Sequence, residues 1–209
     1  MAMPFTTLGE VRSAWRDVIK VRSRPIANVP TAGKWSAMQD RAEQLLTPRL
    51  RLRRPRPDDV NAIHAIMSHA QTMQYWSSLP HASLSETAVW FDGMLSADEA
   101  GQSDEFVIEY RGEVIGKLGA WRLPEIGLFI RQDHCRKGLA SEALAAFIDY
   151  ARSRNVPSLL ADVDPHNAAC LTVLTKAGFR EYRRAFATYT IGDRVCDSVY
   201  LQLDLPAKS

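Results

Sequence analysis

Along this chain, hydrophobic residues recur with two different spacings, and these spacings predict alternating strands and helices. Leu50 and Leu52 are separated and flanked by single arginines, which is the period of a strand with one apolar face. Ser83 and Glu86 have the spacing of a capping box, which predicts that a helix begins there. The predicted strands cover residues 49–53, 106–109, 114–121, 126–130, 159–163, 179–190 and 195–203, and the predicted helices cover residues 57–70, 83–97, 138–154 and 167–176. The resulting order, β-α-α-β-β-β-α-β-α-β-β, predicts an α/β fold in which a mixed sheet is flanked by helices.

The N-terminal part of the chain follows a different pattern and is predicted to be an extension. Capping-box spacing at Thr7 is followed by apolar residues three or four apart, which predicts an amphipathic helix that ends before Pro25. A linker and a second short helix, over residues 35–46, are predicted to follow. We therefore divide the chain into an N-terminal helical extension and linker at residues 1–46 and one main domain at residues 47–205. We expect the extension to pack on the main domain or on a partner chain, so a homodimer is one expected assembly.

Composition narrows the class of protein. A hydrophobic fraction of 46% with 24% charged residues is typical of a globular domain with a sizeable core. No apolar stretch has the length of a signal peptide or a membrane helix, so we expect a cytoplasmic protein without a membrane partner. The cysteines form no CxxC pair and no Cys/His spacing suited to zinc, so no metal is expected. They are Cys135, Cys170 and Cys196.

Charge is distributed unevenly along the chain. Residues 1–56 hold 12 Lys and Arg against 4 Asp and Glu, whereas residues 57–209 hold 14 against 20. The basic segment could bind nucleic acid or an anionic membrane surface. The interpretation we favour is that it lies against the acidic body of its own or a neighbouring chain, because few aromatic residues stand between the arginines. We therefore expect no nucleic acid partner.

The most informative segment is the turn at Cys135–Ala140, between a predicted strand and a predicted helix. The strand, residues 126–130, is apolar apart from one glycine and is predicted to be buried on both faces. Gly138 and Ala140 let a ligand approach the backbone where the first N–H groups of the helix point outward. Arg136 and Lys137 add positive charge. This combination favours a diphosphate, and neither the P-loop nor the dinucleotide fingerprint is present.

Two motifs in this half of the chain resemble GNAT acetyltransferases. Cys135-x-x-Gly138-x-Ala140 resembles the family's acetyl-CoA pyrophosphate loop, with a cysteine where the family has Gln or Arg. Asn167-x-x-Cys170, followed by a Lys-x-Gly-Phe sequence, is similar to the family's Asn-x-x-Ser helix, with cysteine in place of serine. The segment 47–59 also resembles the opening strand and helix of the ribosomal-protein N-terminal acetyltransferase branch.

The resemblance implies a fold, a co-substrate and a set of binding residues. The expected fold is the GNAT fold, a mixed, mostly antiparallel and splayed sheet flanked by helices. The expected co-substrate is acetyl-CoA, whose acetyl carbonyl would be bound by backbone N–H groups of the splayed strand. The residues expected to bind acetyl-CoA are Leu128, Phe129, Ile130, Cys135, Arg136, Lys137, Gly138, Leu139, Ala140, Asn167 and Cys170.

Catalytic candidates come from carboxylate and imidazole groups near the expected cleft. Glu125, at the start of the splayed strand, is the predicted general base, although a glutamate there is also typical of a solvated strand end. His166 is a second candidate, with a surface-loop histidine as the alternative. Leu174 stands where many relatives have the tyrosine that protonates the leaving thiolate, so either another group such as Tyr182 or Tyr189 acts as the acid or the thiolate leaves unprotonated.

The loop after the first helix is expected to contribute to the acceptor pocket. It contains Tyr75 and Trp76, whose rings would suit an ammonium group, although either ring could instead close the core. We therefore predict an acetyl-CoA-dependent N-acetyltransferase that acts on a primary amine, either a protein N-terminus or a small molecule, by direct attack in a ternary complex. The alternatives are a non-catalytic acyl-CoA-binding or sensing module and a basic-arm nucleic-acid-binding protein.

Overall fold

The computed structural model describes residues 41–205 of the chain. The predicted N-terminal amphipathic helix lies outside the described residues. The eight strands are β1 (Gln44–Leu46), β2 (Leu50–Arg53), β3 (Asp104–Tyr110), β4 (Glu113–Arg122), β5 (Glu125–Ile130), β6 (Ser158–Val163), β7 (Arg180–Ile191) and β8 (Arg194–Asp204). The helices are α1 (Val60–Met67), α2 (Ala70–Met73), α3 (Leu84–Glu99), α4 (Leu139–Ser153) and α5 (Ala168–Lys176), and short 3-10 turns form at Pro57–Asp59 and Gln132–His134.

All eight strands belong to one sheet, in the order β1-β2-β3-β4-β5-β6-β8-β7. Every neighbouring pair in this sheet is antiparallel except β5 and β6, which are parallel. Glu125 is in register with Leu160 at the start of this parallel pair, and no further pairing of β5 with β6 follows among the described strands. The sheet therefore opens into a cleft toward the carboxyl ends of β5 and β6. The predicted mixed, mostly antiparallel, splayed sheet is confirmed.

Helices cover the two faces of the sheet. Phe106 and Val107 are consecutive residues of β3 and therefore point to opposite faces. Val107 lies in a buried cluster with side chains of α1 and α3. Phe106 packs edge-on against Phe147 of α4, with ring centroids 6.2 Å apart. The sheet thus has an α1–α3 face and an α4 face.

Two predicted helices differ from the structure at their ends. A short helix is predicted over residues 35–46, but its described end is wrong: Gln44–Leu46 form β1, which pairs with β2. The reason is the tight turn before β2, where Thr47 N–H donates to the Leu50 carbonyl at 3.0 Å and brings the two segments together. The helix predicted over 57–70 is divided, because His69 is extended and its ring accepts the N–H of Thr72 at the start of α2.

The polar face predicted for β2 also needs correction. Arg53 is only 6% exposed, although the alternation places it with the exposed arginines. Its guanidinium donates two parallel hydrogen bonds to the buried Asp59, at 2.7 and 2.8 Å, and a third to Glu109 at 2.7 Å. These bonds to Asp59 raise the pKa of Arg53 further, against the opposing effect of burial. A paired arginine can be buried where an unpaired one cannot.

The described residues form no helix of the length and apolar character that a membrane crossing requires.

Candidate active site

The cleft between β5 and β6 presents backbone groups of β5. In an antiparallel ladder, alternate residues direct their N–H groups at the partner strand. Arg131 N–H donates to the Ile115 carbonyl of β4 at 2.7 Å, so Phe129, two residues earlier, also directs its N–H toward β4. The N–H groups of Leu128 and Ile130 consequently point to the other side, into the cleft. Of the three predicted acetyl-binding positions, Leu128 and Ile130 have the required direction.

Opening of the cleft also changes the burial predicted for β5. The sequence predicts a strand buried on both faces, but only Phe129 and Ile130 are buried, and residues 125–128 are partly exposed. The prediction, made for residues 126–130, is wrong for residues 126–128, beside which β6 diverges from β5 after Leu160.

The predicted phosphate-binding turn lies at the open end of the cleft and leads into α4. Gly138 is the N-cap of α4 with φ of +76°, and Arg136 has φ of +60°. Glycine adopts this left-handed conformation without the steric penalty that a side chain introduces. Arg136, Lys137 and Gly138 are exposed, and α4 is long enough for its N–H groups and dipole to form an anion site. These features fit the diphosphate of CoA.

Cys135 packs inside the turn. Its thiol lies 3.7 Å from both the Ile130 and Arg131 carbonyl oxygens and is half-buried. Burial, as the main cause, raises the pKa of the Cys135 thiol. Cys135 therefore supports the turn as a neutral side chain, while the backbone of the following residues faces solvent.

The second motif forms the other wall of the cleft, where α5 begins. Asn167 is the N-cap of α5, and its side-chain oxygen accepts the N–H of Cys170 at 3.1 Å. Burial raises the pKa of Cys170 to about 11, which favours the neutral thiol over the thiolate at physiological pH. Asp164 is buried and accepts the backbone N–H of His166 at 2.9 Å, as expected for a residue that fixes the turn before Asn167.

Glu125 and Trp76, in the loop after α2, lie on the same side of the sheet, the α1–α3 face. Glu125, Gly127 and Phe129 share this face because side chains alternate along β5. Trp76 packs edge-on against Phe129, with ring centroids 5.1 Å apart. A Cβ added to Gly127 would lie 3.2 Å from the Trp76 ring, so the absence of a side chain there allows the indole to approach β5. Glu125 is half-buried and accepts a hydrogen bond from Arg122 at 3.2 Å.

His166 does not approach Glu125. It follows β6 at the open end of the cleft, whereas Glu125 lies at the closed end beside Leu160. At about 3.3 Å per strand residue, the three residues from Leu160 to Val163 alone separate them by roughly 10 Å. The His166 side chain is 78% exposed, and its Nδ1 lies 2.9 Å from Asp164. His166 therefore lies beside Asn167, the N-cap residue of α5.

Leu174, which stands where many relatives have a tyrosine, is part of the hydrophobic core. Leu174 is buried within α5. Of the two tyrosines named as replacements, Tyr182 lies on β7 beside Tyr200, with ring centroids 6.2 Å apart. Burial is the main cause that raises the pKa of Tyr182, and Asp162 and Glu125 act in the same direction. Tyr182 thus keeps its proton and lies within electrostatic range of Glu125.

Several residues around the site have no counterpart in the sequence-based prediction. Lys117 of β4 forms a buried ion pair with Glu105, and its ammonium lies 5.8 Å from the Trp76 ring centroid. Arg194 donates to the Gln74 carbonyl at 2.8 Å, which fastens the aromatic loop to the start of β8. The ion pair of Lys117 could have been predicted from the sequence, because burying a lone lysine within an apolar strand is energetically unfavourable unless the lysine has a partner.

Comparisons with known proteins agree with this geometry. The Acetyltransferase (GNAT) domain matches residues 49–180. The uncharacterized N-acetyltransferase p20 of Bacillus licheniformis is 28% identical over 158 residues, covering 68% of this chain and 89% of that protein. The L-methionine sulfoximine/L-methionine sulfone acetyltransferase of Pseudomonas aeruginosa is 27% identical over 163 residues, covering 72% and 92%. The chain therefore belongs to the GNAT acetyltransferase family and is an acetyl-CoA-dependent acetyltransferase.

A solved structure shows the same fold. RimL, a ribosomal-protein α-N-acetyltransferase in complex with coenzyme A, matches with a TM-score of 0.72 and 20% sequence identity, covering 79% of this chain and all of that one. The predicted GNAT fold is confirmed.

Proposed function

We propose that this enzyme transfers the acetyl group of acetyl-CoA to a primary amine, which attacks the thioester directly in the β5–β6 cleft. The observation that carries the proposal is the arrangement of this cleft. A turn suited to a diphosphate lies at its open end, two backbone N–H groups of β5 point into it, and the Glu125 carboxylate lies at its closed end. A cytoplasmic location, where acetyl-CoA and amine acceptors are both available, is part of the proposal.

Different residues would bind different parts of acetyl-CoA. The N–H groups at the start of α4, with the charges of Arg136 and Lys137, would hold the diphosphate. Asn167 would bind the pantetheine arm through its side-chain amide. The N–H groups of Leu128 and Ile130 would donate to the acetyl carbonyl and stabilise the negative charge that develops on its oxygen.

Glu125 is the proposed general base. An amine is protonated at neutral pH and must lose a proton before it attacks. Glu125 lies on the same face of β5 as the Trp76 contact, so an amine that entered beside this indole would meet both the thioester and the carboxylate. Tyr182, which keeps its proton, is the proposed donor to the leaving thiolate.

The acceptor is proposed to be a protein N-terminus or a small-molecule amine. Trp76 and Tyr75 would form part of its pocket, since an aromatic face attracts an ammonium group. The relatives support both kinds of acceptor: one is named for a ribosomal protein and another for derivatives of methionine.

Glu125→Gln tests the mechanism. The substitution keeps the size of the side chain and removes its capacity to accept a proton. We expect kcat for thiol release from acetyl-CoA, measured with a panel of primary amines, to fall by about 100-fold or more at pH 7, because general base catalysis contributes on the order of 10²–10⁴. The dissociation constant for CoA should remain unchanged.

His166→Gln is the matched comparison, since it alters the other candidate base at the opposite end of the cleft. We expect its turnover to remain within about threefold of wild type at this exposed position. If His166→Gln abolishes turnover while Glu125→Gln does not, the base has been assigned to the wrong residue.

A further inference from the structure

The segment before β2 contacts the phosphate-binding turn through hydrogen bonds that the proposed mechanism does not use. Glu142 lies in the first turn of α4, and both of its carboxylate oxygens accept from this segment. One oxygen accepts the Thr47 hydroxyl at 2.6 Å and the Arg49 backbone N–H at 2.9 Å. The other accepts Nε of Arg49 at 2.6 Å. The first turn of α4 is therefore tied to a different strand of the sheet.

The same arginine reaches the turn itself. Nη1 of Arg49 donates to the Lys137 carbonyl at 2.9 Å. Nη2 lies 3.4 Å from the position that a Cβ on Gly138 would occupy. The Arg49 guanidinium thus bonds to Lys137, just before the left-handed Gly138, and to Glu142 in the helix that follows, and it lies beside Gly138 itself.

This contact bears on the shape of the turn. Arg136 and Gly138 both have positive φ, a conformation that a non-glycine residue keeps only when its surroundings hold it. The N–H groups at the start of α4 converge on a ligand only while the turn keeps this shape. Burial is the largest single effect on the pKa of Glu142 and acts to raise it. The hydrogen bonds from Thr47 and Arg49 together exceed this effect and lower the pKa, so the carboxylate remains charged.

We infer that Arg49 is a positioning residue for the diphosphate of CoA. By holding Glu142 and the Lys137 carbonyl together, it keeps the turn in its phosphate-binding conformation. Because the turn is assumed to bind CoA, this inference rests on the proposed function.

Arg49→Ala and Arg51→Ala form a matched pair of variants. Arg51 lies two residues further along the chain, in β2, with a side chain 46% exposed against 45% for Arg49. Each forms an ion pair with a glutamate whose side chain is 16% exposed, but the partner of Arg51 is Glu109, away from the turn. The pair therefore removes the same charge at the same exposure, with and without contact to the turn.

The experiment is calorimetric titration of wild type and both variants with CoA and with pantetheine, which lacks the diphosphate. We expect Arg49→Ala to raise the dissociation constant for CoA roughly tenfold, the factor that corresponds to one lost charge-assisted contact, and Arg51→Ala to leave it within about twofold. Neither variant should change the affinity for pantetheine. Equal weakening of CoA by the two variants, or equal weakening of CoA and pantetheine by Arg49→Ala, would overturn the inference.

Glu142→Gln provides a second, milder variant if Arg49→Ala fails to fold in a thermal scan. The amide keeps the shape of the side chain but loses the charge that Arg49 pairs with, so CoA affinity should fall in the same direction by a smaller factor. Unchanged affinity for CoA would also count against the inference. If wild type itself binds no CoA, the proposed function fails instead, so the two failures are distinguishable.

Discussion

At the residue scale, Asn167 combines two functions that different substitutions can separate. Its side-chain oxygen caps α5 by accepting the N–H of Cys170, while its amide nitrogen is the proposed ligand of the pantetheine arm. Aspartate keeps the capping oxygen and loses the amide donor. Alanine loses both.

We expect Asn167→Asp to keep the thermal stability of wild type and to weaken CoA binding by about 1–3 kcal/mol, the cost of a buried hydrogen bond left unmade. Asn167→Ala should weaken binding similarly and also lower the free energy of unfolding by about 1 kcal/mol, the typical value of a lost N-cap. Calorimetry and denaturant unfolding measure the two effects separately. CoA affinity equal to wild type in Asn167→Asp would remove this residue from the site.

Individual residues differ in how far the sequence predicts them. Gly138 was predicted from its position at a helix start, whereas Asn167 was predicted from its resemblance to the Asn-x-x-Ser motif of GNAT acetyltransferases. Arg49 was not, since its partner Glu142 is 93 residues away in sequence and only the pairing of β2 in the sheet brings them together. Arg53 is similar: its burial depends on Asp59 and Glu109, which no alternation pattern reveals.

At the element scale, a threonine joins α1, α3 and the loop before α3. The Thr87 hydroxyl lies 2.8 Å from Nδ1 of His64 and 2.9 Å from Nδ1 of His81. One hydroxyl donates a single proton, so the two rings fill opposite hydrogen-bonding roles. His81 is buried, and burial, as the main cause, lowers its pKa, opposed by Glu86 and assisted by His64.

This arrangement predicts a pH dependence of stability. Since the folded pKa of His81 is below its unfolded value of about 6.5, the unfolded chain takes up the proton first, and the contribution of His81 is complete above that pH and lost as pH falls below it. We expect the free energy of unfolding to decrease between pH 7 and pH 5 with a contribution of up to about 1.4 kcal/mol per pH unit from this residue. Denaturant unfolding at several pH values measures it.

His81→Asn should reduce this slope relative to wild type. His69→Asn is the control, because His69 is exposed and asparagine keeps its capping function at the start of α2. Equal slopes in wild type and His81→Asn would contradict the interpretation.

Elements also show where pattern reasoning is limited. The helices α3, α4 and α5 begin within one residue of their predicted starts, because Ser83, Gly138 and Asn167 act locally. β1 was not predicted, because a three-residue edge strand is defined by its pairing with β2 rather than by its own sequence. The exposure of β5 likewise depends on the divergence of β6, which leaves no mark on β5 itself.

At the scale of the whole molecule, the basic N-terminal segment is partly neutralised by the domain. Among the described residues, five of its arginines form ion pairs with carboxylates of the same chain: Arg41, Arg49, Arg51, Arg53 and Arg54. Within residues 41–56, these arginine charges are therefore compensated by carboxylates of the same chain. Because Arg41 binds Asp98 and β1 begins at Gln44, the sheet and its contacts extend to the N-terminal side of residue 47.

The central claim is that the turn before α4 binds the diphosphate of acetyl-CoA and so delivers the thioester into the split sheet. Gly138→Val is the sharpest variant, since valine strains the left-handed backbone at φ of +76° and its Cβ would lie 3.4 Å from Nη2 of Arg49, which contacts the same turn. Calorimetric titration with acetyl-CoA should show saturable binding of one equivalent to wild type and none to a folded Gly138→Val protein. Absence of saturable heat in wild type, or equal affinities in the two proteins, would contradict the account.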